Sequence, residues 1–246
     1  MAYPHLLNAP ITEALIDLRI DPPFESPDAL APVRDRLKDE FPETRNIIQV
    51  QGTLSVSADL SASVPPSSVE RRDYGYAMWT ADQRRVVQVR TDGFSFSHLK
   101  PYGDWAALRA DARKAWERFA TQARVVRCAV RYVNRIELAH PFAPFEDFFL
   151  TFPAIGRSLP QGIAGMYSRV VLPEPPATIV VTQALDHVVM AEKVIVSDIL
   201  DIDVFVEGKV FASNGEELWE QVDQLRELKN RVFFGSLTSK ALELFK

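Results

Sequence analysis

Three polar residues stand close together on what periodicity marks as a single strand. Residues Val125 to Leu138, VVRCAVRYVNRIEL, alternate over an unusual length. Val126, Cys128, Val130, Tyr132, Asn134, Ile136 and Leu138 fall on one face, and Arg127, Arg131, Arg135 and Glu137 on the other. Asn134 therefore sits on the apolar parity, where a buried amide must find partners or cost roughly 1–3 kcal/mol. Tyr132, Asn134 and Arg135, with Glu13 and Arg19 of an earlier strand nearby, make a candidate site for a small polar ligand. A second reading has the same residues bonding to neighbouring backbone and pinning strand register, as most buried polar groups do.

Other chemistry is hard to find. There is no G-x-G-x-x-G, Walker loop, G-x-S-x-G or H-E-x-x-H. His5, His98, His140 and His187 are scattered, none at ligand spacing from another His or Cys, so no metal site is expected. Ser95, Ser97 and Ser168 have no evident base. No catalytic residue and no cofactor are assigned. The formal charge of −5 divides evenly, with 15 basic and 17 acidic residues to position 122 and 13 and 16 beyond it. That balance disfavours general nucleic-acid binding, which needs cations to displace counterions. Arg71, Arg72, Arg84, Arg85 and Arg90 form a local basic group, more commonly the charge that protects a sheet edge. The single Cys128 reads as a small buried hydrophobe suited to a reducing compartment. The N-terminus has no signal-peptide pattern and no apolar run reaches a membrane span, so a cytoplasmic protein is expected.

The elements that must position these residues follow from pattern. Glu13–Ile20 alternates as a strand and is closed by Pro22 and Pro23. A first helix is expected from Ser26 or Asp28 to Phe41, then a strand over Ile47–Ala58 and a Ser- and Pro-rich loop over Ser61–Arg72. Three strands follow, Gly75–Thr80, Arg84–Arg90 and Phe94–Leu99, with Asp92-Gly93 expected to supply the positive φ angles of a tight turn. Asp104 is expected to cap a helix with Trp105, Leu108, Ala112, Ala115, Trp116 and Phe119 on one stripe. Beyond the central strand come a Phe-rich segment, Phe142–Phe152, and strands near Ile163–Leu172, Thr178–Ala184, Val188–Val196 and Asp201–Val206. A last long helix is expected from Ser213, with Glu216 completing a capping box, to about Phe234 with Gly235 as its terminator. Its stripe is Leu218, Val222, Leu225 and Val232, and Thr238 caps a short final helix.

Each half, residues 1–122 and 123–246, then reads strand, helix, four strands, long helix, which predicts an α+β fold of two similar, intimately joined units. The order is that of a TATA-binding-protein-like tandem, an analogy of fold only, with a helix-grip arrangement as the alternative. Acids at 13, 17 and 21 and arginines at 127, 131 and 135 repeat every fourth residue. Antiparallel pairing in which residue numbers sum to 148 would join Glu13 to Arg135, Asp17 to Arg131 and Asp21 to Arg127.

Phe145, Phe148 and Phe149 lie in a segment with more phenylalanine than one short element usually buries, which marks them as candidate partner contacts. The stretches NAPITEALIDLRI, RYVNRIEL and LWEQVDQLRELKNRVFFGSLTSKALELF together resemble a sporadically distributed bacterial family of uncharacterised proteins of about this length. The resemblance implies a cytoplasmic bacterial or archaeal protein of patchy occurrence, the pattern of genes carried with toxin–antitoxin or phage-defence modules. It supplies no catalytic residue. The expected function is that of a non-catalytic binding or interaction protein with a protein partner or a second copy. The alternative is an enzyme or small-ligand binder using a cleft between sheet and helices.

Overall fold

The computed structural model describes residues 3, 4, 6–52, 69–119, 123–139, 144–153, 155–160, 163, 165–190 and 193–246. Among these residues nine strands form one antiparallel sheet: β1 (Ile11–Asp21), β2 (Glu43–Gly52), β3 (Val69–Trp79), β4 (Arg85–Arg90), β5 (Gly93–Leu99), β6 (Arg124–Ala139), β7 (Met166–Glu174), β8 (Ala177–Met190) and β9 (Lys193–Phe211). The spatial order is β2-β3-β4-β5-β1-β6-β9-β8-β7. Among the described residues four helices complete the α+β fold: α1 (Ala31–Leu37), α2 (Trp105–Phe119), α3 (Glu216–Ser236) and α4 (Ser239–Glu243). No described helix is long and apolar enough to cross a membrane.

The two strands singled out by their alternation pair with each other at the middle of the sheet. Ile16 lies opposite Val130, Leu18 opposite Cys128 and Glu13 opposite Val133, so paired numbers sum to 146 over most of the ladder. The expected sum of 148 is therefore corrected by one full pleat repeat. Faces are preserved by such a slip because side chains alternate with period two. Irregularities at Thr12 and between Arg19 and Ile20 help set the observed register.

Apolar residues of one parity face α2 and α3. Phe94 meets Trp116 and Phe119 at ring-centre distances of 5.4 and 5.6 Å, and Trp116, Phe119, Leu18, Cys128 and Val130 are all buried. On the opposite face the arginines of β6 are neutralised from both sides. Asp17 accepts from Arg90 at 2.7 Å and Arg127 at 3.1 Å, Arg127 also reaches Asp203 at 3.3 Å, and Arg131 holds Asp201 at 2.8 Å. The acids thus come from β1 and β9 together, whereas β1 alone was expected to supply them.

Other expectations need revision. The Thr91-Asp92 turn closes without a positive φ at Gly93. Gly93 is required for a different reason: a Cβ there would stand 2.2 Å from the Leu18 carbonyl oxygen. The runs Thr178–Ala184 and Val188–Val196 are not separate strands. No Gly or Pro interrupts residues 184–188, so β8 continues through them to Met190, while Lys193–Val196 open β9 and run on into the expected Asp201–Val206 strand; among the described residues three strands therefore follow β6 where four were expected. The Phe-rich segment contributes one 3-10 turn (Phe145–Asp147) where the first half has α1. The expected capping box does not form, because α3 starts two residues later than expected: Gly215 is the N-cap and Glu216 the first helical residue, its carboxylate bound by Arg113 at 2.8 Å. Helix α3 also runs through Gly235, since Leu150 donates to the Ser236 carbonyl at 2.9 Å and satisfies the helix end. The Asp104 and Thr238 caps form as expected, at 2.8 Å to the Ala107 amide and 3.2 Å to that of Ala241. The expected loop over Ser61–Arg72 lies largely outside the described residues, as do His5, His140 and Phe142.

Candidate functional site

A cavity of about 700 Å³ opens between the N-terminal lead, the loop before α2, the end of β6 and the last turns of α3. Each wall is tied by contacts far apart in sequence. The Asn8 amide donates to the Phe245 carbonyl at 2.9 Å, and the ring of Tyr3 stacks on Phe234 at 4.7 Å. These contacts lay the lead across α3 and the chain's last turn. The Arg135 amide bonds the Pro10 carbonyl at 2.8 Å, and the Lys100 amide bonds that of Thr12 at 2.9 Å. Across the helices, Asp223 of α3 accepts from Trp105 at 2.8 Å and Arg109 at 3.0 Å.

Lys229 lies on the wall that α3 presents. It is 7% exposed, and its Nζ lies 3.7 Å from the centre of the Tyr132 ring. Among the described residues no hydrogen bond or ion pair holds that amine. Burial pushes it down to about 7, the nearby Arg226 guanidinium acts in the same direction, and Glu227 opposes them. The Tyr132 hydroxyl pairs with that of Tyr102 at 2.9 Å. Burial raises both phenols, Tyr102 to about 12 and Tyr132 well above its ordinary value.

Charged groups bordering the cavity are unequal in sign. Lys100, Arg135, Arg226 and Lys229 face only Asp104 and Glu137. Asp104 caps α2, and Glu137 stands 3.2 Å from the Nε of Arg135 without hydrogen-bond geometry, so that buried Nε remains unsatisfied. Arg226 is paired with Glu227. The arrangement offers a positive, partly desolvated space with a free amine and two hydroxyls, which suits a small anion.

Of the five residues proposed from sequence, Tyr132, Asn134 and Arg135 border this cavity. Asn134 also donates to the Leu200 carbonyl of β9 at 3.0 Å, so its amide joins two strands as well as facing the space. Glu13 and Arg19 are not brought to it. Glu13 sits opposite Val133 and Leu99 on the other face. Arg19 sits opposite Arg127, about 26 Å along β1 from the Ile11–Asn134 pair at the rise of a strand, and is paired with Asp92. The candidate contacts Phe145, Phe148 and Phe149 are 7%, 7% and 1% exposed. Phe145 stacks on Phe149 at 4.4 Å, and Phe149 bridges to Leu237, so these rings are covered by the chain itself. Exposed apolar side chains include Leu150 and Phe152 of the same segment and, on the edge strands, Ile48 and Val50 of β2 and Tyr167, Val171 and Leu172 of β7.

Sequence reasoning passed over Lys229, Tyr102 and Arg226. The signal for Lys229 was present. The α3 stripe 218, 222, 225 steps next to 229, a core position occupied by lysine. Tyr102 follows Pro101 in a loop and carries no periodic signal. No family model matches the chain, and no curated protein or solved structure matches it either.

Proposed function

We propose that this chain is a binding protein whose cavity takes a small anionic molecule, with Lys229 as its principal contact. The observation that carries this reading is a lysine only 7% exposed, without a carboxylate partner among the described residues, on the wall of a cavity bordered by more cations than acids. Keeping such a group buried is costly in the empty protein. An anion that pairs with it offsets that cost, which makes Lys229 a gain on binding more than a loss on folding. The reading keeps the expectation of a protein that binds, and places the ligand in the cleft between sheet and helices.

Two broader expectations stand beside it as proposals. Outward from β1 run β5, β4, β3 and β2, and outward from β6 run β9, β8 and β7, a mirrored order that supports a tandem of residues 1–122 and 123–246. The resemblance to the sporadically distributed bacterial family supports a cytoplasmic setting and a role within a toxin–antitoxin or phage-defence module. A protein partner is the second reading of function. It is favoured by edge strand β7, whose apolar residues are exposed and whose outer backbone groups have no strand beside them among the described residues.

The test is calorimetric titration with small carboxylates and phosphate esters. At least one should bind saturably, and Lys229→Met should weaken it tenfold or more, about 1.4 kcal/mol. Affinity should fall by up to about tenfold per pH unit above about 7, as the free amine loses its proton. Equal binding by wild type and Lys229→Met would sink the proposal.

A further inference from the structure

The same amine has a second capacity, and the inference rests on the cavity being the anion site argued above. We infer that Lys229 forms a Schiff base with an anionic carbonyl compound, a 2-oxo acid or an aldehyde acid. The geometry has three parts. Lys229 is a buried residue that lines open space, so a ligand reaches it without unfolding α3. Nothing among the described residues hydrogen-bonds it, so its lone pair is not engaged by an acid or a hydroxyl. The Tyr102–Tyr132 hydroxyl pair belongs to the same wall, with the amine over the Tyr132 ring, and can hand protons to and from a carbonyl oxygen held there. The remaining cavity cations, Arg226 and Arg135 foremost, are placed for the carboxylate of such a ligand.

The step balances without a further reactant. The Nζ lone pair attacks the carbonyl carbon, a C–N bond forms, and the carbonyl electrons move to oxygen, which takes a proton. That oxygen then leaves as water with the amine's proton, and a C=N bond remains. A lysine amine in water is almost wholly protonated at neutral pH and a poor nucleophile. Burial and Arg226 push Lys229 to about 7, which leaves a large neutral fraction there. Besides Arg135 and the two paired phenols, the titratable or charged groups bordering the cavity are Tyr3, Lys100, Asp104 and Glu137, and Glu227 of α3 opposes the shift.

The experiment is reductive trapping on the full chain. The protein is incubated with pyruvate and sodium borohydride, and the products are read by intact mass and peptide mapping. One carboxyethyl group on the peptide containing Lys229 is expected, with a rate rising towards a plateau above pH 7. Lys229→Met, which replaces the buried amine by an apolar chain of similar shape, should lose this product. Lys38→Met, a change at an exposed lysine far from the cavity, should keep it. Label spread over surface lysines, or none at Lys229, overturns the inference. If acetate and pyruvate still bind equally in a Lys229-dependent manner, the anion site survives and the imine falls. If neither binds, both fall together.

Discussion

Lys229 and Asp198 are buried ionisable groups with opposite consequences for stability against pH. Asp198 on β9 is fully buried; one carboxylate oxygen has no partner, and the other accepts from Gln183 at 3.3 Å. Burial raises its carboxyl to about 7 from an ordinary value of 3.8. A carboxyl raised by folding contributes stability at low pH that is lost as pH climbs from about 4 to about 7. Three pH units correspond to roughly 4 kcal/mol. Asp198→Asn should therefore raise the melting temperature at pH 8 and leave it nearly unchanged at pH 4, which a thermal scan at the two values reads directly. Lys229 runs the other way in mechanism. Its folded value is depressed, so the unfolded chain binds more protons between about 7 and 10.5, and wild-type stability should rise across that window. Lys229→Met should flatten the rise. Both groups sit at apolar positions of their elements, which makes them visible in sequence as interruptions of a stripe. What they lack for partners is not visible there, because a partner's distance in space has no trace in spacing along the chain.

Elements held where side chain and backbone were local. The caps at Asp104 and Thr238 lie within three residues of the amides they bind, and both form. Thr238→Ala should cost about 1 kcal/mol, seen as a lower urea midpoint. It should also loosen the chain end on which the N-terminal lead rests. The capping box at Ser213 and Glu216 obeys the same local rule and fails, since α3 begins only at Glu216 with Gly215 as its N-cap, and the Glu216 carboxylate goes to Arg113 of α2. Gly93 shows the same limit. Its dipeptide suggested a turn angle, but the constraint comes from the Leu18 backbone of a different strand. Gly93→Ala should lower stability by about 3 kcal/mol as β1 and β5 are forced apart. A turn residue needed only for its φ would also be costly to replace, but without moving the neighbouring strand. Amide exchange across the β1–β5 ladder distinguishes the two.

At the scale of the molecule, the central β1–β6 pair joins two sets of elements through a charged lattice. Asp17 is shared by Arg90 and Arg127, side chains only 9% and 17% exposed, so removing its charge leaves two partly buried cations short of a partner. Asp17→Asn should cost on the order of 3 kcal/mol in urea unfolding, within the range for breaking a buried pair. Glu13→Gln should change stability by less than about 0.5 kcal/mol, because no ion pair of Glu13 forms among the described residues. The other register, which pairs Glu13 with Arg135, would give Glu13→Gln a measurable cost. The comparison thus tests the pairing itself.

The amino-acid sequence determined the parity of β1 and β6, the polar place of Asn134, the two capped helices and the adjacency of the two leading strands. The first three depend on period or on contacts a few residues apart, and the adjacency on the matching four-residue repeats of acid and arginine in the two strands. Only the tertiary structure decided the register of 146, the division of the Val188–Val196 run between β8 and β9, the burial of Phe145, Phe148 and Phe149, and the cavity itself. A period of two is unchanged by a slip of two, so alternation cannot choose between such registers. The cavity walls come from the N-terminal lead, the segment 100–105 before α2, the end of β6, the last turns of α3 and the chain's last residues, and their nearness is a property of the packed sheet and helices with no counterpart in local pattern.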